Sequence, residues 1–209
     1  MGTKAVFPWL EIAKRLQALA QAGLEYSDNK YDIDRYNQIR KLSVEMMHDF
    51  TELPMDRLVD VFASEKGYQT PKVDVRGVVF RGDKILMVKE TIDGRWSVPG
   101  GWADVGLTPY EVARKEVYEE AGLEVSPIRL LAVLDKKCHN HPPDLYHIYK
   151  IFIHCEERGG TLQNGMETSE TGFFGLDELP PLSGPRITEE QIRLMFEYKN
   201  DPLKAAICD

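Results

Sequence analysis

Apolar residues recur every three or four positions through the first third of the chain, then fall on every second position. In PWLEIAKRLQALAQAGL, Leu10, Ala13, Leu16, Ala20 and Leu24 share one helical face, with Gly23 read as the stop. YDIDRYNQIRKLSVEMMHDF repeats the pattern with Ile33, Tyr36, Ile39, Met46 and Phe50. MDRLVDVFASEKG predicts a third, shorter helix carrying Leu58, Val61 and Phe62 and closed by Gly67. Three short helices build only a small core. They form either a self-contained bundle or one that also packs against a second copy.

GYQTPKV breaks the helical period at Gly67 and Pro71. The period then drops to two: KVDVRGVVF puts Val73, Val75 and Val79 on strand positions, RGDK is a turn, and ILMVKE returns as the second arm of a hairpin. IDGRWSVPGG predicts another turn and a short strand. PIRLLAVLD and HIYKIFIHCEE follow as further strand segments, and TEEQIRLMFEYK as a last helix. Mixed strands and helices imply an α/β or α+β layered domain over residues 69–209, preceded by a helical domain over 1–68.

Between these strands lies GGWADVGLTPYEVARKEVYEEAGL. Thr108 as N-cap, Pro109 in the first turn, Glu111 as capping-box partner and Gly122 as stop predict a helix over 109–121. Ala113, Val117 and Ala121 form its apolar stripe. Glu116, Glu119 and Glu120 stand at i, i+3 and i+4 on the neighbouring face. A solvated acidic face would explain that spacing. Against it, like charges so spaced repel by a few tenths of a kcal/mol, and the C-terminal half of a helix disfavours acids. A divalent cation removes both penalties, and hard carboxylate oxygens suit Mg²⁺ or Mn²⁺. The preceding glycines let backbone come close, so the Gly100 carbonyl is a candidate further ligand.

The net charge of −8 over 209 residues argues against a broad electrostatic grip on nucleic acid, without excluding RNA or a local basic pocket for a small anion. Cys138, Cys155 and Cys208 are scattered and form no CxxC, which fits a reducing compartment. No apolar run approaches a membrane span. The start lacks a basic-then-apolar leader, and Val6 stands where an acylation signal wants Ser or Thr. These features predict a soluble, cytoplasmic protein.

The acidic helix and its approach resemble the Nudix box, Gly-x5-Glu-x7-Arg-Glu-U-x-Glu-Glu-x-Gly-U, with U a bulky aliphatic. Gly101, Glu116, Val117, Glu119, Glu120, Gly122 and Leu123 match it; Leu107 replaces the first Glu and Lys115 the Arg. Further segments, among them YDIDRY, GYQTPKVDVRG and ELPPLSGPR, look like the Nudix subgroup with a helical N-terminal domain, typified by CDP-choline pyrophosphatase and ADP-ribose pyrophosphatase.

The resemblance implies a mixed sheet sandwiched between helices, with a small helical N-terminal domain that takes part in a homodimer. It implies metal-dependent hydrolysis of a nucleoside diphosphate linked to another moiety. Glu116, Glu119, Glu120 and the Gly100 carbonyl would then hold Mg²⁺ or Mn²⁺. Glu167 or Glu170, in METSETGFFGLDELP, would be a further ligand or the base. The rival readings are RNA-end or 3′-exonuclease processing at the same metal site, and a ligand-sensing Nudix domain without catalysis. Arg76 is a candidate for phosphate, or else part of a surface or dimer salt bridge. Trp102 is a candidate base-stacking residue, and Trp96 a core residue. Cys138, His139, His141 and His147 lack a regular four-ligand zinc spacing. The two departures are read as coupled: Leu107 packs where an ion pair would stand, and Lys115 keeps one positive charge beside Glu116 and Glu119.

Overall fold

A computed structural model describes residues 8–51 and 53–209. Val6 lies outside the described residues, as does the side chain of Val61. The chain divides into two compact units. One is the chain up to Pro71 together with Pro143–Tyr146; the other is Lys72–Pro142 with His147–Asp209. The boundary expected after residue 68 therefore stands at Pro71, and four residues from the later sequence join the helical unit.

In the helical unit, α1 spans Pro8–Tyr26, α2 Lys30–Asp49 and α3 Met55–Phe62. Asn29 caps α2 by accepting the Tyr31 N–H at 2.9 Å. Two expected stops differ. The helix α1 runs through Gly23 to Tyr26, and a Cβ on Gly23 would come within 2.3 Å of the Tyr36 ring. Gly23 is thus a contact glycine that lets α2 approach, not a cap. The helix α3 ends at Phe62, and Gly67 lies beyond it with φ 81°. Leu10, Ala13, Val44, Met47, Leu58 and Phe62 form the core, with Leu145 packed against it. Leu16 and Leu24 are only half-buried, while Gln17 and Gln21 are buried. Much apolar surface stays outside: Leu19 is 65% exposed, Leu42 58% and Ile12 48%.

The second unit is built on one eight-stranded mixed sheet. Its strands are β1 (Lys72–Arg81), β2 (Lys84–Glu90), β3 (Trp96–Ser97), β4 (Gly100–Trp102), β5 (Leu123–Asp135), β6 (Ile148–Gly160), β7 (Thr168–Phe174) and β8 (Ile207–Cys208). The order is β3-β2-β1-β6-β5-β8; β4 also pairs with β1, and β7 with β2. The predicted hairpin is present, with Phe80 opposite Ile85. Strands β1 and β6 run parallel, so β1 is buried on both faces from Asp74 to Val79. The helix α4 (Pro109–Ala121) covers one face and α5 (Glu189–Asn200) the other. The chain thus has the mixed, helix-sandwiched α/β architecture expected, with a helical N-terminal region. Among the described residues no helix is long and apolar enough to cross a membrane.

The seating of α4 follows from its sequence. Thr108 and Glu111 form a reciprocal capping box, and Gly122 closes the helix with φ 72°. Val112, Ala113, Val117 and Ala121 are fully buried against β1, β2 and β6. Gly77 sets the distance: a Cβ there would lie 2.4 Å from Val117 Cγ2 and 3.2 Å from the Ala113 carbonyl. A missing side chain on β1 therefore brings the acidic helix close to the sheet.

Candidate active site

The three glutamates of α4 share a face but not an environment. Glu120 is 7% exposed, the Glu116 side chain 13% and that of Glu119 55%. The innermost, Glu120, accepts the Gly100 N–H at 3.0 Å through Oε2. Gly101 faces Glu116, and a Cβ at Gly101 would lie 3.3 Å from the Glu116 Oε2. The glycines of β4 therefore keep bare backbone beside two carboxylates.

The carbonyl end of α4 is held from the opposite side. Thr168 Oγ1 donates to the Glu120 carbonyl at 2.8 Å, and Gln163 N–H to the Ala121 carbonyl at 3.1 Å. Gly165 fits so tightly that a Cβ would be 2.1 Å from the Glu119 carbonyl. Gln163 in the loop 161–167 and Thr168 at the start of β7 thus satisfy carbonyls that the helix end would leave orphaned.

Burial disfavours the charge on these acids. It raises Glu116 above the ordinary carboxylate range, against the opposing pull of Lys115. It pushes Glu120 up to about 8, although Arg76 and the Gly100 N–H act the other way, with Glu90 and Glu116 adding repulsion. A site of this kind stabilises an added cation. In the structure that cation is the Lys115 ammonium, 3.4 Å from Glu116 and 3.1 Å from Glu119. Its third partner is Asp104, also at 3.1 Å. The carboxylate oxygens of Glu116, Glu119 and Glu120 are hard ligands and fit Mg²⁺ or Mn²⁺. Among the described residues no three His, Cys, Asp or Glu side chains already converge in a metal-holding geometry.

The base candidates part company. Glu170 lies opposite Lys89 in the β2–β7 pairing and bonds it at 2.6 Å. Lys89 shares a strand face with Met87, which packs in the core beneath α5, so Glu170 stands on the side away from α4. Glu167 ends the loop whose next residue, Thr168, holds Glu120. Its carbonyl accepts both the Thr91 N–H and the Thr91 hydroxyl at 3.0 Å.

Arg76 is not at the surface. It is 4% exposed and forks onto Asp74 at 2.6 and 2.9 Å. Asp74 also takes the fully buried Lys150 at 2.6 Å. A surface salt bridge is therefore excluded for Arg76, and its donors are already engaged. Trp102 is half exposed on β4, opposite Asp74. Trp96 is buried edge-on to Phe174, as a core residue. The histidines scatter: His139 goes to Asp209, His141 to the Gly184 carbonyl and His147 to Asp135. Leu107 is 38% exposed and lines a groove with Lys115, Glu111, Arg114 and Tyr118, so it fills no core position.

Sequence reasoning missed Asp74, Lys150 and Glu90. Glu90, 4% exposed, accepts the Ser97 hydroxyl at 2.8 Å and pairs with Arg186 at 3.0 Å. Charged residues inside apolar strands were the available signal, since such groups are buried only when paired.

Residues 70–195 match the family model for the Nudix domain, and residues 8–62 match the one described as UDP-X-like, N-terminal oligomerisation domain. The Bacillus subtilis (strain 168) protein YjhB, which carries the provisional name of ADP-ribose pyrophosphatase, is 49% identical over 96% of this chain and 97% of its own. An ADP-ribose pyrophosphatase of Methanocaldococcus jannaschii is 32% identical over 64% of this chain and 78% of its own. Among solved structures, one of UDP-X diphosphatase superposes with TM-score 0.64 at 30% identity, over 97% of this chain and 98% of that one. An ADP-ribose pyrophosphatase from Streptococcus suis 89-1591 superposes with TM-score 0.62 at 44% identity, over 67% of this chain and all of that one.

Proposed function

The chain belongs to the Nudix family and is a Nudix pyrophosphatase, and we propose that it hydrolyses a nucleoside diphosphate linked to a second moiety. ADP-ribose and UDP- or CDP-linked compounds, CDP-choline among them, are the substrate class. The names of the ADP-ribose and UDP-X relatives support that class. The observation that carries the reading is Glu120, buried and fixed to the Gly100 N–H, with Glu116 facing the bare backbone of Gly101.

Glu116, Glu119 and Glu120, with the Gly100 carbonyl, would hold Mg²⁺ or Mn²⁺. When bound, the ion supplies Lewis-acid neutralisation of the diphosphate charge, which otherwise repels a nucleophile. The residues of this chain do the rest by position. Water attacks one phosphorus, the bridging P–O bond breaks, and the products are a nucleoside monophosphate and a phosphorylated moiety. The proton of the attacking water passes to a carboxylate, for which Glu167 is the candidate, since the next residue, Thr168, bonds the Glu120 carbonyl. Trp102, half exposed on the strand of Gly100 and Gly101, is positioned to stack on a base.

The helical unit joins two copies of the chain in a homodimer. Exposed Ile12, Leu19 and Leu42 on a small core support this, together with the family description of that segment. A panel of ADP-ribose, UDP-sugars and CDP-choline, each with Mg²⁺ or Mn²⁺, tests the catalytic reading by release of nucleoside monophosphate. No metal-dependent release from any of them would overturn it.

A further inference from the structure

The buried charges beneath the glutamates form a connected chain. Asp74 and Arg76 are two apart on β1 and so point to the same side of the strand. Asp74 accepts both Arg76 Nε and Nη2, at 2.6 and 2.9 Å. On its other side Asp74 lies opposite Lys150 in the parallel β1–β6 register and accepts that ammonium at 2.6 Å. The remaining arm of the Arg76 fork, Nη1, donates to the Val98 carbonyl at 3.0 Å. Arg76 is also the register partner of Gly100 on β4. Contact there is close: a Cβ on Gly100, whose φ is 145°, would lie 2.9 Å from Arg76 Cδ and 2.1 Å from the Val75 carbonyl. Gly100 then hands its N–H to Glu120.

We propose that Arg76 is a positioning residue: held by Asp74 and Lys150, it fixes the Val98–Gly100 backbone, and through the Gly100 N–H it sets the place of the Glu120 carboxylate. The assignment rests on the reading of Glu120 as a metal ligand. Burying this set of charges costs desolvation, and apolar residues of similar size often replace buried ion pairs without loss of stability. Val75, Val78 and Val98 beside it are fully buried, so apolar neighbours were available on these strands. A planar fork is the one side chain able to grip a carboxylate with two nitrogens and a backbone carbonyl with the third. Lys150 acts at one remove, by holding the Asp74 that aims the fork. Loss of such supporting partners weakens metal binding or turnover by roughly 10–100-fold.

The test uses the full-length protein with Arg76→Met and Arg76→Lys. Arg76→Met keeps roughly the volume and leaves Asp74 paired with Lys150, but it also removes a positive charge that favours the Glu120 carboxylate, which is why Arg76→Lys, keeping that charge, is measured beside it. Two readouts are taken: amide hydrogen exchange across Ser97–Trp102 without metal, and Mn²⁺ affinity by electron paramagnetic resonance together with kcat and KM. The expected result is exchange in that segment faster by about tenfold or more, with exchange in the middle of α5 unchanged. Mn²⁺ affinity and kcat fall by about tenfold or more while KM stays near that of the parent. Arg76→Lys keeps the charge but not the fork, and is expected to show the same pattern at smaller size; it decides the matter if Arg76→Met does not fold. Parent-like exchange in a folded variant overturns the positioning role, as does faster exchange with parent-like Mn²⁺ affinity and kcat. A parent protein that binds no Mn²⁺ and releases no product, while Arg76→Met still loosens Ser97–Trp102, refutes the metal assignment and leaves the backbone role standing.

Discussion

Lys115 Nζ lies 3.1 Å from Asp104 Oδ2, so the loop before α4 is tied to the helix by a residue three places ahead of the position where the Nudix pattern has its first Glu. Leu107, which occupies that position, is 38% exposed and replaces no buried pair. The expectation that Leu107 and Lys115 changed together is therefore recast: in this chain the carboxylate that braces the loop against Lys115 is Asp104. Because Lys115 also reaches Glu116 and Glu119, one ammonium serves three acids. Their hydrogen bonds, that of Glu119 first and then that of Asp104, hold the Lys115 ammonium above its ordinary range.

A double-mutant cycle on Asp104→Ala and Lys115→Ala should give a coupling of about 0.2–1 kcal/mol in thermal unfolding, the range of an exposed pair. Leu107→Glu, paired with Lys115→Arg, should show less. Coupling at Leu107 and none at Asp104 would restore the original pairing.

Glu120→Gln keeps size and polarity but removes the carboxylate proposed to hold the metal. Turnover should fall by roughly 10²–10³-fold or more, with far-UV circular dichroism unchanged. A variant that keeps near-parent rate in Mg²⁺ would show that Glu120 holds no metal.

Glu167 and Glu170 separate by kinetics. Glu167→Gln should lower kcat roughly 10²–10⁴-fold, the worth of a general base. Glu170→Gln loses only its pairing with Lys89, and kcat should stay within about fivefold. The opposite ranking would exchange the roles.

The pH dependence of stability has a named source in His141. Burial draws its pKa down to about 4, against the pull of the Gly184 carbonyl that its ring bonds, with Lys150 and Lys136 adding repulsion. The folded state thus prefers the neutral ring, the unfolded state binds the proton more readily, and the contribution is present above about 6.5. It is lost as pH falls towards 4, on the order of 3 kcal/mol at most for this partly buried ring. Thermal unfolding of His141→Gln between pH 7 and 4 should show a flatter decline than the parent. Parallel curves would remove His141 as the source.

Leu19→Asp and Leu42→Asp each place a charge at an exposed apolar position of the helical unit without touching its core. Light scattering of full-length protein should move from dimer to monomer mass, with helix content retained. A parent that is monomeric would end the dimer proposal, and variants that remain dimeric would move the interface elsewhere.

Local signals determined much of this protein by themselves. Thr108, Pro109, Glu111 and Gly122 set both ends of α4, because capping and the left-handed stop involve only residues adjacent in sequence. The β1–β2 hairpin followed from period-two alternation and its Gly turn. The spacing of Glu116, Glu119 and Glu120 announced a common face, because helical geometry fixes which residues neighbour one another. What that face meets was decided only by the tertiary structure. The burial that separates Glu120 from Glu119 depends on β4 and on the loop 161–167, far away in sequence. Gly23 read as a helix stop until the ring of Tyr36 showed it to be a contact point, and nothing local to Gly77 announced its contact with Val117. Glu170 read as a site residue until its register opposite Lys89 turned it to the other face. Asp74, Arg76 and Lys150 come together through a parallel pairing across 76 residues of chain. No local pattern encodes such a partner, because its position depends on which strands lie side by side once the core has closed.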